Sequence, residues 1–176
     1  MLRRNVLMLA LAGIGLVAGQ QPAASPSAIQ EKRMARGEVG SLLPEFSLTD
    51  LRGRPVRSAD LRGKVVLIDF WATWCGPCKK EMPGYQQLLD HYGPQGFAVI
   101  GFKFDTMKDT EDPVRFAKRF GVRYPLVVAS EDVKEKFGGI EGLPTTLLYD
   151  RQGVLRTKVI GFEYTSTLEE ELKKLL

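Results

Sequence analysis

Two cysteines and a single histidine among 176 residues are a thin supply of soft ligands, and that thinness excludes whole classes of protein. A structural zinc site takes four nitrogen or sulfur ligands. Cys75, Cys78 and His91 cannot assemble one. A small domain held together by disulfides needs far more cysteine than this. The longest uncharged apolar run, Val6 to Gly19, falls short of the roughly 20 residues of a comfortable membrane span. Nor is the charge one-sided: 25 Lys and Arg stand against 21 Asp and Glu. The two signs are interleaved along the chain, so the formal +4 reads as an ordinary solvated surface, and no nucleic-acid partner is expected.

What is present begins with an export pattern. Arg3 and Arg4 precede the Val6–Gly19 run, as a basic segment precedes the apolar stretch of a secretory signal. Residues 1–19 are therefore read as a signal peptide, with Val17-Ala18-Gly19 or Ala23-Ala24 supplying small residues for cleavage, or else as an uncleaved membrane anchor. No cysteine follows the run to carry a lipid. Residues 20–40, rich first in Ala, Ser, Pro and Gln and then in charge, read as a flexible linker. Residues 41–176 form one domain, and 44% hydrophobic content is enough to build its core.

Within that domain Glu45–Asp50 alternates apolar and polar residues and turns through Leu51-Arg52-Gly53-Arg54 into Pro55-Val56-Arg57, an N-terminal hairpin. Val65–Phe70 is a continuous β-branched run, the pattern of a strand covered on both faces. A helix over about 77–92 puts Met82, Tyr85, Leu88 and Leu89 on one face, with Pro83 as a kink. Phe97–Phe102 is another buried strand, 112–120 a helix with Pro113 in its first turn, 124–128 a short strand and 132–137 a short helix. Strands at 145–149 and 154–160 flank the turn Asp150-Arg151-Gln152-Gly153. A last helix follows from about Thr165, capped by Ser166 or Thr167, with Leu168, Leu172 and Leu175 inward. The order predicts an α/β fold: a central mixed β-sheet flanked by helices, with an N-terminal β-hairpin and a central α/β insert.

Cys75 follows the central strand and opens a helix, where unpaired N–H groups and the helix dipole favour a thiolate. Cys78, one turn further in, is better shielded and close enough to close a disulfide. A bridge across two intervening residues constrains the unfolded chain little, so stability is a poor reason for it. The asymmetry points to exchange chemistry: Cys75 attacks a partner disulfide, and Cys78 resolves the mixed disulfide.

The run Phe70-Trp71-Ala72-Thr73-Trp74-Cys75-Gly76-Pro77-Cys78-Lys79 resembles the thioredoxin active-site signature. Gly142-Leu143-Pro144-Thr145-Thr146, ahead of a strand, resembles that family's cis-proline segment. From about Gly40 to Leu176 the element order is similar to the TlpA/ResA branch of exported thioredoxin-like proteins, within the AhpC/TSA-redoxin group. The Pro44–Leu48 hairpin and the insert around 112–128 resemble that branch rather than plain thioredoxin. The resemblance implies a thioredoxin-like fold and assigns roles. Pro144 is the cis proline against the cysteine pair, and Leu143 offers backbone hydrogen bonds to a bound peptide. Trp74, Gly76 and Pro77 complete the substrate-binding rim, and Trp71 is structural.

Asp69 stands where thioredoxins carry a buried acid. Burial would raise its pKa and let it accept and return the proton of Cys78; the alternative is a strand-end Asp bonded to backbone. Glu81 matches an active-site glutamate of the ResA-like branch, with an exposed helix acid as the alternative. Lys103 is read as facing solvent, with tuning of Asp69 as the other reading. Gly76-Pro77 is the dipeptide of reducing thioredoxins, which implies a potential near thioredoxin's roughly −270 mV. Outside the cytosol such a reductant needs a membrane electron donor. The expected partners are disulfide-bearing client proteins, the expected state a monomer, and no metal or cofactor is implied. Apocytochrome c is one client of such proteins; ResA-like, CcmG-like and broader TlpA reductants all fit. Two other readings stand beside this one. A peroxide-reducing enzyme would need a lone peroxidatic cysteine in a Pro-x-x-x-Thr-x-x-Cys setting, which Thr73 to Cys78 does not supply. A redox-inert binding module would be signalled by loss of a cysteine, and both are present.

Overall fold

The computed structural model describes residues 37–104, 109 and 111–176. The expected export segment and most of the expected linker lie outside the described residues. No helix among the described residues is long and apolar enough to cross a membrane.

Strand β3, Val65–Trp71, is buried at every position, as a continuous β-branched and aromatic run requires when both faces are covered. It lies at the centre of a five-stranded sheet. On one side it pairs in parallel with β4, Phe97–Phe104, which pairs in parallel with β5, Leu126–Ala129. On the other it pairs antiparallel with β6, Thr145–Tyr149, which pairs antiparallel with β7, Leu155–Ile160. The hairpin expected at the N-terminus is β1, Ser47–Thr49, with β2, Pro55–Arg57. The preceding chain is tied to the β7 edge, where Gly40 N–H donates to Leu155 O at 2.8 Å.

The period of two divides β3 between two cores. Val65, Leu67 and Trp71 face helix α1, Gly76–Tyr92, together with α2, Pro113–Arg119, and α4, Thr165–Leu175. Val66, Ile68 and Phe70 face the hairpin and α3, Glu131–Lys136, where Phe46, Phe102 and Phe137 cluster around Phe70. Each such buried side chain is worth about 1.5–3 kcal/mol over its exposed state. The mixed sheet flanked by helices is the architecture expected from the sequence.

Local chemistry explains the boundaries. Asp112 caps α2 by accepting from Arg115 N at 2.8 Å, with Pro113 in the first turn. Two Asp-led turns close the hairpins: Asp50 Oδ1 accepts from Arg52 N and Arg54 N, and Asp150 Oδ1 from Gln152 N and Val154 N. Gly53 and Gly153 supply the left-handed residue at φ +80° and +76°. Helix α1 passes through Pro83, which has no N–H to give the preceding turn. At Gly84 it meets α4 so closely that a Cβ there would lie 2.0 Å from Thr165 Oγ1.

Three expectations are corrected. The residue before α4 is Tyr164, with no side-chain cap, so neither Ser166 nor Thr167 caps this helix. Leu89 and Leu175 pack against the core as expected, but the inward face of α1 is not purely apolar, because Glu81 and Gln86 share it. Gln86 belongs there because its Oε1 accepts from Arg123 N at 2.7 Å and Tyr124 N at 3.2 Å. Lys103 does not face solvent. It is buried against Asp109, with Nζ 2.5 Å from Oδ2.

Candidate active site

The chain leaves β3 at Trp71, turns through Ala72–Cys75 with Cys75 N–H bonded to Ala72 O at 3.1 Å, and enters α1. Cys75 is the residue capping that helix. Its sulfur accepts from Cys78 N at 3.3 Å, taking one of the N–H groups a helix start leaves unpaired. The two sulfurs are bonded to each other, Cα to Cα 5.4 Å. Cys78 is fully buried and Cys75 nearly so. Gly76 and Pro77 between them are exposed. Trp74 is 41% exposed at the rim, and Trp71 lies wholly buried beneath, stacked on Phe116 at 4.9 Å.

The Leu143–Pro144 peptide bond is cis. Pro144 O accepts from Gly161 N at 2.8 Å, and Thr145 Oγ1 donates to Gly142 O at 2.7 Å, which fixes the segment ahead of β6.

Below the cysteines lies a polar patch inside an otherwise apolar core. Asp69 shares the inward face of β3 with Leu67 and Trp71 and is 1% exposed. In register its neighbours are Gly101 on β4 and Thr146 on β6. The absence of a side chain at Gly101 is required: a Cβ would lie 2.5 Å from Leu126 Cδ2 and 3.0 Å from Trp71 Nε1. Neither Asp69 oxygen has a hydrogen-bond partner. Burial, and then the negative Glu81, push its carboxyl well above the usual carboxylate range.

Glu81, also 1% exposed, uses Oε1 to accept from Glu163 N at 2.7 Å. Burial pushes its pKa up to about 7, against the opposing pull of that N–H and the neighbouring Tyr85 hydroxyl. Tyr85 Oη is 2.9 Å from Thr146 Oγ1. Burial and the two acids push Tyr85 and Tyr124 upward, so both phenols stay protonated. The site therefore holds two carboxyl groups whose pKa values are raised, Glu81 to about 7, which makes their ionised forms better proton acceptors than an ordinary carboxylate, behind a disulfide at a helix start.

Sequence reasoning named Cys75, Cys78, Asp69, Glu81, Trp74, Gly76, Pro77, Leu143 and Pro144. It missed Thr73, Tyr85, Asp109, Thr146 and Glu163. Thr73 donates to the Asp109 carboxylate that Lys103 neutralises, a buried tie holding the loop just ahead of Trp74. Thr146, two residues beyond Pro144 in a strand already identified, was the one with a readable signal. Among the described residues no cluster of His, Cys, Asp and Glu could hold a metal ion.

A mixed sheet with a cysteine pair closing a disulfide between its central strand and first long helix defines a thiol–disulfide oxidoreductase of thioredoxin-like fold. The chain belongs to the AhpC/TSA family, whose pattern matches residues 39–158. The thiol-disulfide oxidoreductase ResA of Geobacillus thermodenitrificans is 36% identical over 137 residues, covering 78% of each chain. Thioredoxin-like protein YneN of Bacillus subtilis is 32% identical over 136 residues, covering 77% of this chain and 79% of that one. A thiol:disulfide interchange protein of the thioredoxin family from Chlorobium tepidum superposes with a TM-score of 0.70 at 27% identity, covering 78% of this chain and 97% of its own.

Proposed function

We propose that this protein is exported by residues 1–19, cleaved or retained as an anchor, and works outside the cytosol as a reductant of disulfides in client proteins. Residues 20–40 act as its tether and 41–176 as the catalytic domain. The observation that carries the reading is the cysteine pair at the start of α1 above the two buried acids Asp69 and Glu81.

In the reduced state Cys75 is held as a thiolate by the helix start. It attacks one sulfur of the client disulfide; that S–S bond breaks, a mixed disulfide forms on Cys75, and the client's other sulfur leaves as a thiolate. Asp69 takes the proton of Cys78, with Glu81 as the second acid of the site. Cys78 then attacks Cys75 Sγ and the second client sulfur leaves. Two electrons have passed to the client, and the Cys75–Cys78 disulfide is left for a membrane donor to reduce. Trp74, Gly76, Pro77, Leu143 and Pro144 form the rim that receives the client's chain. The protein acts as a monomer and uses no cofactor. Its clients include unfolded polypeptides with neighbouring cysteines, of which apocytochrome c is one.

Trapping tests this directly. Cys78→Ala should accumulate mixed disulfides on Cys75 in envelope extracts, and wild type should reduce insulin. If Cys75 captures nothing and insulin stays intact, the reading fails. A measured potential above about −150 mV would instead make the protein an oxidant.

A further inference from the structure

The turn between β7 and α4, residues 161–164, carries apolar surface in the open. Ile160, Phe162 and Tyr164 are 52%, 43% and 68% exposed, and the Phe162 and Tyr164 rings meet edge to face at 5.1 Å. Large apolar side chains left together at a surface mark a contact site more often than chance.

Two bonds tie this turn to the cis-proline segment and to α1 at the residue three beyond Cys78. One is Gly161 N–H to Pro144 O. The other runs from Glu163 N–H, flanked by the two exposed rings, to the buried Glu81 Oε1. A surface turn is thus held by an acid on the inner face of α1. Ile160 Cγ2 also lies within 3.4 Å of where a Cβ of Gly142 would be, so the patch is continuous with the cis-proline segment.

Resting on the reductase reading, we propose that Glu81 is a positioning residue for the client, acting through the Glu163 amide to hold the Phe162–Tyr164 pair beside Pro144. There the pair packs against an aromatic or aliphatic side chain flanking the cysteine of an extended client. The patch is apolar where the client chain must pass, which favours an unfolded segment over a folded polar surface. An ionised carboxylate accepts more strongly than a carboxylic acid, so the turn should also be held more firmly as pH rises through about 7. The titratable groups facing Glu81 are Asp69 from β3, Tyr85 from its own helix, Tyr124 from the segment ahead of β5 and Glu163 from the turn.

The test compares KM for insulin with KM for the small disulfide 5,5′-dithiobis(2-nitrobenzoate), in the full chain. The ratio of the two should rise about fivefold or more in Glu81→Ala and in the double variant Phe162→Ser with Tyr164→Ser. Combining the changes should add less than about twofold, because they act on one element. Glu81→Gln keeps an acceptor oxygen and should hold the ratio within about twofold of wild type, whatever its kcat. Hydrogen exchange at the Glu163 amide should speed up about tenfold or more in Glu81→Ala but not in Glu81→Gln. If Glu81→Ala cannot fold, the surface double variant and the Glu163 exchange of Glu81→Gln still decide the matter.

An unchanged KM ratio, with kcat falling alike on both disulfides, overturns the proposal: Glu81 then serves the sulfurs alone. Unaltered Glu163 exchange in Glu81→Ala overturns it too. A wild type inert on both disulfides overturns the reductase reading, and this inference with it.

Discussion

Asp50 and Asp150, in the hairpin turns, are each 5% exposed; Asp69 and Glu81, under α1, are each 1% exposed. Little of any of them meets solvent, yet the outcomes are opposite, and the turn acids lie near the surface while the site acids lie deep in the core. At the turns burial pushes each carboxyl up, but backbone N–H groups and Arg54 or Arg156 outweigh it, so both acids titrate below their ordinary value. At the site Asp69 has no partner and Glu81 has one backbone donor, so burial prevails. Depth and partners together decide whether a shielded acid stabilises the fold or stays ready to move a proton.

The comparison can be broken most sharply at Asp69. Asp69→Leu should slow insulin reduction near pH 7 by about 10²-fold, the loss of a proton acceptor. The same change should raise stability by about 1–3 kcal/mol, since it removes an unsatisfied buried polar group, and thermal melting would record the gain. Asp150→Ala should do the reverse, costing about 2–3 kcal/mol in urea unfolding through loss of the carboxylate that accepts from two backbone N–H groups and pairs with Arg156, with little change in the rate of disulfide exchange. A stabilised Asp150→Ala would sink the comparison.

The pH dependence of stability sharpens it further. The turn acids have lowered pKa values, so their contribution is present above the ordinary carboxylate value and lost as pH falls through the folded value. Glu81 is raised from 4.5 to about 7, so the folded state keeps a proton that the unfolded state releases. Stability should therefore decline by about 3 kcal/mol as pH rises across that window, and Glu81→Gln should flatten the decline in denaturant titrations. Smallest of all, Glu171→Ala removes an exposed acid that pairs with Lys174 and should leave the melting temperature unchanged.

Much of this was legible beforehand because it rests on local pattern. The β-branched run at 65–70 announced the central strand, and Asp-x-x-Gly announced both turns. The cysteine spacing announced the chemistry. What escaped depends on partners distant in the chain. Lys103 is an unremarkable lysine until Asp109 and Thr73 meet it. Glu81 fits the polar side of a helical wheel until the Glu163 amide reaches it across the fold. Tyr164 precedes α4 without a polar cap because tertiary packing, not end chemistry, holds that helix in place.

Gly84 sits one turn beyond Glu81 and lets the start of α4 come so close to α1 that an added Cβ would lie 2.0 Å from Thr165 Oγ1, and the turn that Glu81 holds leads directly into α4. The missing side chain is therefore a clearance, and the seat of α4 against α1 depends on it. Gly84→Ala would work as a shim one carbon thick, prising Thr165 outward and drawing the Glu163 amide off its acid. The cysteines would remain, while the turn bearing Phe162 and Tyr164 would be reseated.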